Sequence, residues 1–164
     1  ALCRIDRRDL AYDLLFNEKA PSWLYEVKHG ATTIWESWFA LDEDGAPFIS
    51  EIYGMPFCMS LNHYAFGCVD DWMFRNINGI NYEEPGFKKI RIQPQPDDRL
   101  DWAKRTFKSA YGEIVSEWEK KDGNFELFVK IPCNTTAVIV LPDGQRFERG
   151  SGAYRFRTDS SDAR

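Results

Sequence analysis

Residues 102–131 read WAKRTFKSAYGEIVSEWEKKDGNFELFVKI, and their alternation decides how the second half of the chain folds. From Trp102 to Tyr111, Glu113 to Lys120 and Asn124 to Ile131, apolar and polar residues take turns, the period of a half-buried strand. Asp122-Gly123 stands between the last two runs. A two-residue type I′ turn favours that pair because both of its central positions need positive φ, so a β-hairpin is predicted there. Further along, Thr135 to Leu141 is an apolar, β-branched run. Asp143-Gly144 marks another turn before Gln145 to Glu148, and Ala153 to Arg157 adds a last strand. Upstream, Phe87 to Ile92 alternates before the breakers Pro94 and Pro96. Six or seven short strands with regular turns predict an antiparallel β-sandwich. The polar tail from Thr158 to Arg164 reads as a mobile end.

Before Asn81 the period changes to that of a helix. Asp6 is the expected N-cap of a first helix in the stretch from Ile5 to Phe16, with Leu10, Ala11, Leu14 and Leu15 spaced by three and four, and Pro21 closes it. A second helix is expected after Ser60, with Leu61, Ala65, Cys68, Val69, Trp72, Met73 and Ile77 on one apolar stripe and Gly79 as its stop. The connection from Pro21 to Met59, rich in Trp, Gly, Asp and Pro, reads as a long loop, and such loops are often functional. The boundary is expected near 81–86, giving a helical part over 1–84 and a sandwich over 85–164. Two helices cannot bury so wide a stripe unaided. They are expected to belong to a larger helical body, with partial packing on the sandwich. The chain opens on Ala1 and enters a helical stretch almost at once, so it reads as a piece of a longer protein.

The composition, 43% hydrophobic and 29% charged, is that of a globular protein. A net charge of −5 argues against a nucleic-acid partner. The basic clusters Arg4, Arg7, Arg8 and Lys88, Lys89, Arg91 read as solvated faces. No apolar run has the length of a membrane span, about 18 residues. Cys3, Cys58, Cys68 and Cys133 lack metal-ligand spacing, and Cys58 and Cys68 are expected to be buried thiols. Asp42-Glu43-Asp44 reads as a turn rather than a calcium loop, and Asp70-Asp71 as a polar face or salt-bridge partner. Neither a phosphate-binding loop nor a nucleophile elbow is present, so no metal or cofactor is expected.

Six Trp, seven Tyr and twelve Phe could stack on sugars or fill a core. Glu36 lies between Trp35 and Trp38. Apolar walls strengthen a carboxylate as a base, and stacking rings hold a sugar. The bland reading makes Glu36 a surface residue whose neighbouring indoles point inward. His63, placed on the first turn of the second helix, could hydrogen-bond a sugar hydroxyl or serve only packing, and His29 is a weaker candidate. Glycoside hydrolysis ordinarily needs two carboxylates, and a second is not evident.

The string Tyr25-Glu26-Val27-Lys28-His29-Gly30-Ala31-Thr32-Thr33-Ile34-Trp35-Glu36 resembles the Gly-Ala-Thr-Thr-x-Trp-Glu signature of glycoside hydrolase family 78, the α-L-rhamnosidases. Ser60-Leu61-Asn62-His63-Tyr64 resembles that family's Ser-Leu-Asn-His-Tyr segment. Glu84 to Ile90, Ile92-Gln93-Pro94, Ala110-Tyr111-Gly112 and Asn134-Thr135-Thr136-Ala137 resemble its last β domain. The resemblance implies an α+β chain of more than one domain: the end of an (α/α)6 helical barrel followed by an antiparallel β-sandwich. It implies inverting hydrolysis of terminal α-L-rhamnose, with Glu36 as general base, the acid upstream, and His63, Trp35 and Trp38 at the sugar. The implied partners are a rhamnose-containing carbohydrate and the remainder of the barrel. After Glu36 the family often has Arg and then Trp-Asp, where this chain has Ser37-Trp38-Phe39. The competing reading is a non-catalytic carbohydrate-binding or structural sandwich, with Trp102, Phe107 and Trp118 as the aromatics that could be exposed.

Overall fold

The computed structural model describes residues 2–159 except 6, 39, 43 and 44, and leaves the side chains of Arg4 and Ile52 undescribed. The expected Asp6 cap, Phe39, the Glu43-Asp44 part of the acidic run and tail residues 160–164 therefore lie outside the described residues. The chain divides into two compact units, Ala1–Asp70 and Asp71–Arg164.

The first unit opens with a 3-10 turn, Leu2–Ile5, and helix α1, Arg8–Phe16, which buries Tyr12 and Leu15. The helix ends at Phe16, ahead of Pro21. The connection from Pro21 to Met59 is more regular than a loop: it holds helix α2, Trp23–Lys28, and a hairpin of β1, Ile49–Ile52, and β2, Met55–Cys58. All of the β2 side chains are exposed, so the hairpin leaves no alternation in the sequence. Asp42 takes part in a turn as expected, accepting the Ala46 N–H at 2.9 Å.

The predicted second helix is the largest departure. Helical structure begins at Ala65 rather than after Ser60, as a 3-10 turn, Ala65–Cys68, then helix α3, Val69–Trp72, then a π-helical turn, Met73–Ile77. Leu61 and Cys68 are exposed, and of the expected stripe only Ile77 is buried. Cys58 is exposed as well, so neither cysteine is the buried thiol that its neighbours suggested. The described apolar residues buried in this unit are Tyr12, Leu15, Trp35 and Ala40, while Ile5, Val27, Ile49, Tyr53, Met55 and Tyr64 stand exposed.

The second unit is the β-sandwich. One sheet runs β10-β7-β6-β5 and is wholly antiparallel: β5 is Trp102–Ser109, β6 Gly112–Lys121, β7 Asn124–Ile131 and β10 Gly152–Asp159. The Asp122-Gly123 turn has the two positive φ angles, 50° and 73°, that a type I′ hairpin requires. Phe125, Leu127, Val129 and Ile131 point inward from β7, each contributing about 1.5–3 kcal/mol by burial. The other sheet runs β3-β4-β8-β9, from β3, Ile80–Tyr82, β4, Lys89–Ile92, β8, Thr136–Val140, and β9, Arg146–Arg149. Its β4–β8 pair is parallel, the one departure from antiparallel pairing among the described strands. Parallel strands are covered on both faces and read as continuous apolar runs, which is why Ala137, Val138 and Ile139 are buried in succession.

The sheets meet where Phe147 of β9 packs on Phe156 of β10, with ring centroids 4.8 Å apart. The π-helical turn docks on the same sandwich: Trp118 Nε1–H donates to the Ile77 carbonyl and the Ser116 hydroxyl to the Asn78 carbonyl, both at 2.7 Å. Trp118 is therefore a buried anchor, and Phe107 packs against Phe74 and Phe87; neither is an exposed platform. Trp102 is exposed. Strand β10 runs on through Thr158, which is buried and donates to Asp143, so the expectation of a mobile end from Thr158 fails at Thr158 and Asp159.

Candidate active site

Ser22 fixes the start of the site. Its buried hydroxyl accepts the Tyr25 N–H at 3.0 Å and caps α2. The helix is closed by Gly30, whose φ of 79° lets Gly30 N–H reach the Val27 carbonyl and Ala31 N–H the Glu26 carbonyl, both at 3.0 Å. Both signals, Ser22 and Gly30, stand in the sequence and would have located this helix. Residues 31–36 leave the helix as an irregular segment with bends at Thr32, Thr33 and Glu36.

That segment pairs with residues 60–63. His63 N–H donates to the Ile34 carbonyl at 2.8 Å, Glu36 N–H to the Ser60 carbonyl at 2.9 Å, and the Thr33 hydroxyl to the Leu61 carbonyl. The Glu36 carboxylate closes the arrangement, because its Oε2 accepts the Ser60 N–H at 2.9 Å. Ser60 thus holds Glu36 instead of starting a helix. Oε1 of Glu36 has no partner among the described residues, and the residue is half-buried. One carboxylate oxygen is anchored and the other can take a proton.

His63 is half-buried beside this bridge, ahead of the helical segment rather than inside it. Its Nδ1 accepts the Ala65 N–H at 3.1 Å, so the ring proton sits on Nε2 and that N–H can donate to a sugar oxygen. Its ring stacks on Tyr64 at 4.9 Å, and Tyr64 is 87% exposed. His29, by contrast, is exposed on the C-terminal end of α2, with Nδ1 on the Tyr25 carbonyl at 2.8 Å and its ring over Tyr25. It serves the helix end.

The indoles divide. Trp35 is 4% exposed and belongs to the core, as the bland reading of this motif supposed. Trp38 is half-buried, stacked on Phe66 at 4.4 Å with Trp23 edge-on at 5.5 Å, and its Nε1–H is buried without a partner among the described residues. Trp23 Nε1–H donates to the Phe66 carbonyl at 3.1 Å, which ties the aromatic group to the start of the 3-10 turn. Trp23, Phe66 and Tyr64 are parts of the site that the sequence reading did not single out.

Glu26 is the other omission. It is 2% exposed, and its Oε2 accepts the Trp35 N–H at 3.3 Å while Oε1 is buried without a partner among the described residues. Burial pushes its carboxyl above the ordinary glutamate range, against the smaller opposing pull of the Trp35 N–H. Its position just ahead of the motif was the available signal. The sum is chemically simple: a half-buried, anchored carboxylate with one free oxygen and a neutral imidazole with an available N–H. Such a pair can accept a proton from water and hold a hydroxyl-bearing ligand. The described residues contain no group of three or more His, Cys, Asp or Glu that could hold a metal ion. No described helix is long and apolar enough to cross a membrane.

Two family models match successive stretches of this chain. That of the bacterial α-L-rhamnosidase six-hairpin glycosidase domain matches residues 1–77, and that of the bacterial α-L-rhamnosidase C-terminal domain matches 79–155. An α-L-rhamnosidase of Formosa agariphila is 43% identical over 134 residues, covering 82% of this chain and 14% of that protein. One of Streptomyces avermitilis is 35% identical over 167 residues, covering 90% and 16%. The crystal structure of a Streptomyces avermitilis α-L-rhamnosidase complexed with L-rhamnose matches 96% of this chain and 17% of that one, at 33% identity and a TM-score of 0.86. The native enzyme from Aspergillus terreus matches 96% and 18%, at 33% identity and 0.87. The chain thus spans about 14–16% of the length of these curated relatives.

Proposed function

The chain belongs to the bacterial α-L-rhamnosidase family, and on that premise we propose that it supplies the general-base side of an inverting glycosidase acting on terminal α-L-rhamnose. Glu36 is the base, and the general acid lies outside these residues, on the rest of the helical barrel. The observation that carries this reading is the Ser60 bridge, which pins Glu36 Oε2 and leaves Oε1 unpartnered among the described residues. An inverting enzyme needs this kind of carboxylate: fixed in direction, ionised and within about 3 Å of the attacking water. Acid and base stand roughly 6.5–9.5 Å apart in such enzymes, leaving room for that water.

Glu26 does not serve as the acid, because it is buried on the Trp35 N–H. His63 orients the rhamnose through its Nε2–H, and Trp38 forms part of the wall around the sugar. Trp35, sealed in the core, shapes the loop and does not stack on the ligand. The exposed apolar residues of the first unit support a further partner, the remaining hairpins of the barrel, since a soluble surface rarely leaves so many uncovered. This chain alone is accordingly inactive.

Glu36→Gln in the full-length protein tests the reading. Glutamine keeps an oxygen for the Ser60 N–H but cannot take a proton, so geometry survives and basicity does not. Turnover of an aryl α-L-rhamnoside should fall about a hundredfold or more with KM little changed. Proton NMR of the first turnovers should show β-L-rhamnose, the inverted anomer. Near-normal turnover by the variant, or retained anomeric configuration, would remove Glu36 from the role.

A further inference from the structure

We propose that the outer face of the β10-β7-β6-β5 sheet is a second, non-catalytic carbohydrate site, built to hold a neutral sugar of an oligosaccharide against Trp102. The face encloses a groove of about 340 Å³, inside the range of roughly 300–1,000 Å³ typical of ligand pockets. Register brings its parts together. Trp102 of β5 lies opposite Glu119 of β6, and Glu119 lies opposite Glu126 of β7. One strand further, Phe128 of β7 lies opposite Arg155 of β10.

Three features of this face are not explained by folding. Trp102 is 67% exposed, so its indole adds little to the core. Glu119 and Glu126 are directly opposed like charges, an arrangement that destabilises a sheet. Arg157 offsets Glu126 at 3.8 Å, but the Glu119 carboxylate has no ion pair or hydrogen bond among the described residues. An ionised carboxylate only accepts, so the groove asks for hydroxyl donors beside an apolar face. The Arg155 guanidinium, also lining the groove, lies over the Phe128 ring at 5.0 Å and brings N–H donors to it.

The charge inventory selects the ligand class. In the groove Glu117, Glu119 and Glu126 face Lys104 and Arg155, Arg157 beside it pairs with Glu126 to complete the balance, and Lys104 is already paired with Glu117 at 2.8 Å. A balanced face gives no net attraction to a polyanion or polycation. A pyranose has what remains: a C–H face for the indole, hydroxyl donors for Glu119 and Glu126, and ring and hydroxyl oxygens for Arg155. The site needs nothing from Glu36. A second attachment point on the same polymer raises the effective concentration of its chain ends at a catalytic centre.

The test is an NMR titration of the full chain with L-rhamnose and, separately, with maltohexaose, following the indole N–H resonances. The expected result is a saturable shift of the Trp102 resonance with a Kd of about 1 mM for at least one of the two sugars. Followed through the backbone amides of Glu119, Glu126 and Arg155, Trp102→Ala should weaken binding roughly tenfold or more, and Glu119→Gln by a smaller factor. Glu36→Gln should bind as the unsubstituted chain does, so failure of the catalytic assignment leaves this result standing. No saturable shift with either sugar would overturn the proposal. So would binding at these sheet amides that survives Trp102→Ala, or preferential binding of polygalacturonate there.

Discussion

Gly79→Ala should be among the most damaging one-carbon additions this chain can suffer, and the structure gives the reason. Gly79 has φ of 73°, and a Cβ there would lie 2.1 Å from the Gln93 carbonyl carbon and 2.2 Å from the Pro94 nitrogen. Both neighbours are backbone, so no side chain can swing aside. The approach is close because Gln93 N–H donates to the Gly79 carbonyl at 2.9 Å, extending the β3–β4 pairing by one step. Gly123 is a matched control: its φ is also 73°, but nothing lies within 4 Å of its Cβ position. Left-handed backbone costs alanine about 1–2 kcal/mol at either site. Overpacking adds about 1–3 kcal/mol, or more, at Gly79 alone. Gly123→Ala should therefore cost about 1–2 kcal/mol, and Gly79→Ala roughly 2–5 kcal/mol. Urea unfolding of the two variants is the assay. With m of about 1–3 kcal/mol/M, the midpoint of Gly79→Ala should fall by about 1 M or more, and clearly further than that of Gly123→Ala. Equal midpoints for the two variants would refute the steric argument and leave only the φ cost.

Ser116→Ala strands the buried Asn78 carbonyl and should cost about 1–3 kcal/mol in the same assay. Glu26 binds its proton more tightly in the folded state than in the unfolded chain, so its share of stability is present at low pH and is lost as pH rises through the raised folded value. Glu26→Gln should accordingly gain in melting temperature relative to the parent as pH rises from the ordinary glutamate range, about 4.3, towards neutrality, a gap that thermal scans across pH would measure. In the full-length protein, His63→Ala should raise KM for an aryl α-L-rhamnoside about tenfold, the loss expected for one well-placed donor to a sugar oxygen. An unchanged KM would remove His63 from the sugar pocket.

The strands of the sandwich were legible because their causes are local. Asn124 to Ile131 places Phe125, Leu127, Val129 and Ile131 at every second position, broken only by the apolar Phe128 between them, and Asp122-Gly123 supplies the φ angles of its turn, so the residues themselves carry both period and register. The helical stretch was misread for the converse reason. An apolar spacing of three and four residues from Leu61 to Ile77 does not distinguish one α-helix from the successive 3-10, α and π turns of Ala65–Ile77, whose hydrogen bonds span three, four and five residues. The β1–β2 hairpin was missed because its exposed residues carry no pattern, and α2 because it is six residues long and marked only by its caps.

Residue types and their order along the chain were enough to determine a β-sandwich behind a helical segment, and to bring Glu36 and His63 forward as the chemical groups. Tertiary structure decided what each can do. Ser60 N–H and Glu36 Oε2 stand 24 residues apart in the chain, and a hydrogen bond over that separation imprints no period on the sequence between them. The same holds for Trp35, drawn into the core while Trp38, three residues on, stays half-buried. Periodicity reports the face on which a residue sits within one element. Which element then covers that face depends on chain closure and packing, and only the folded molecule expresses those.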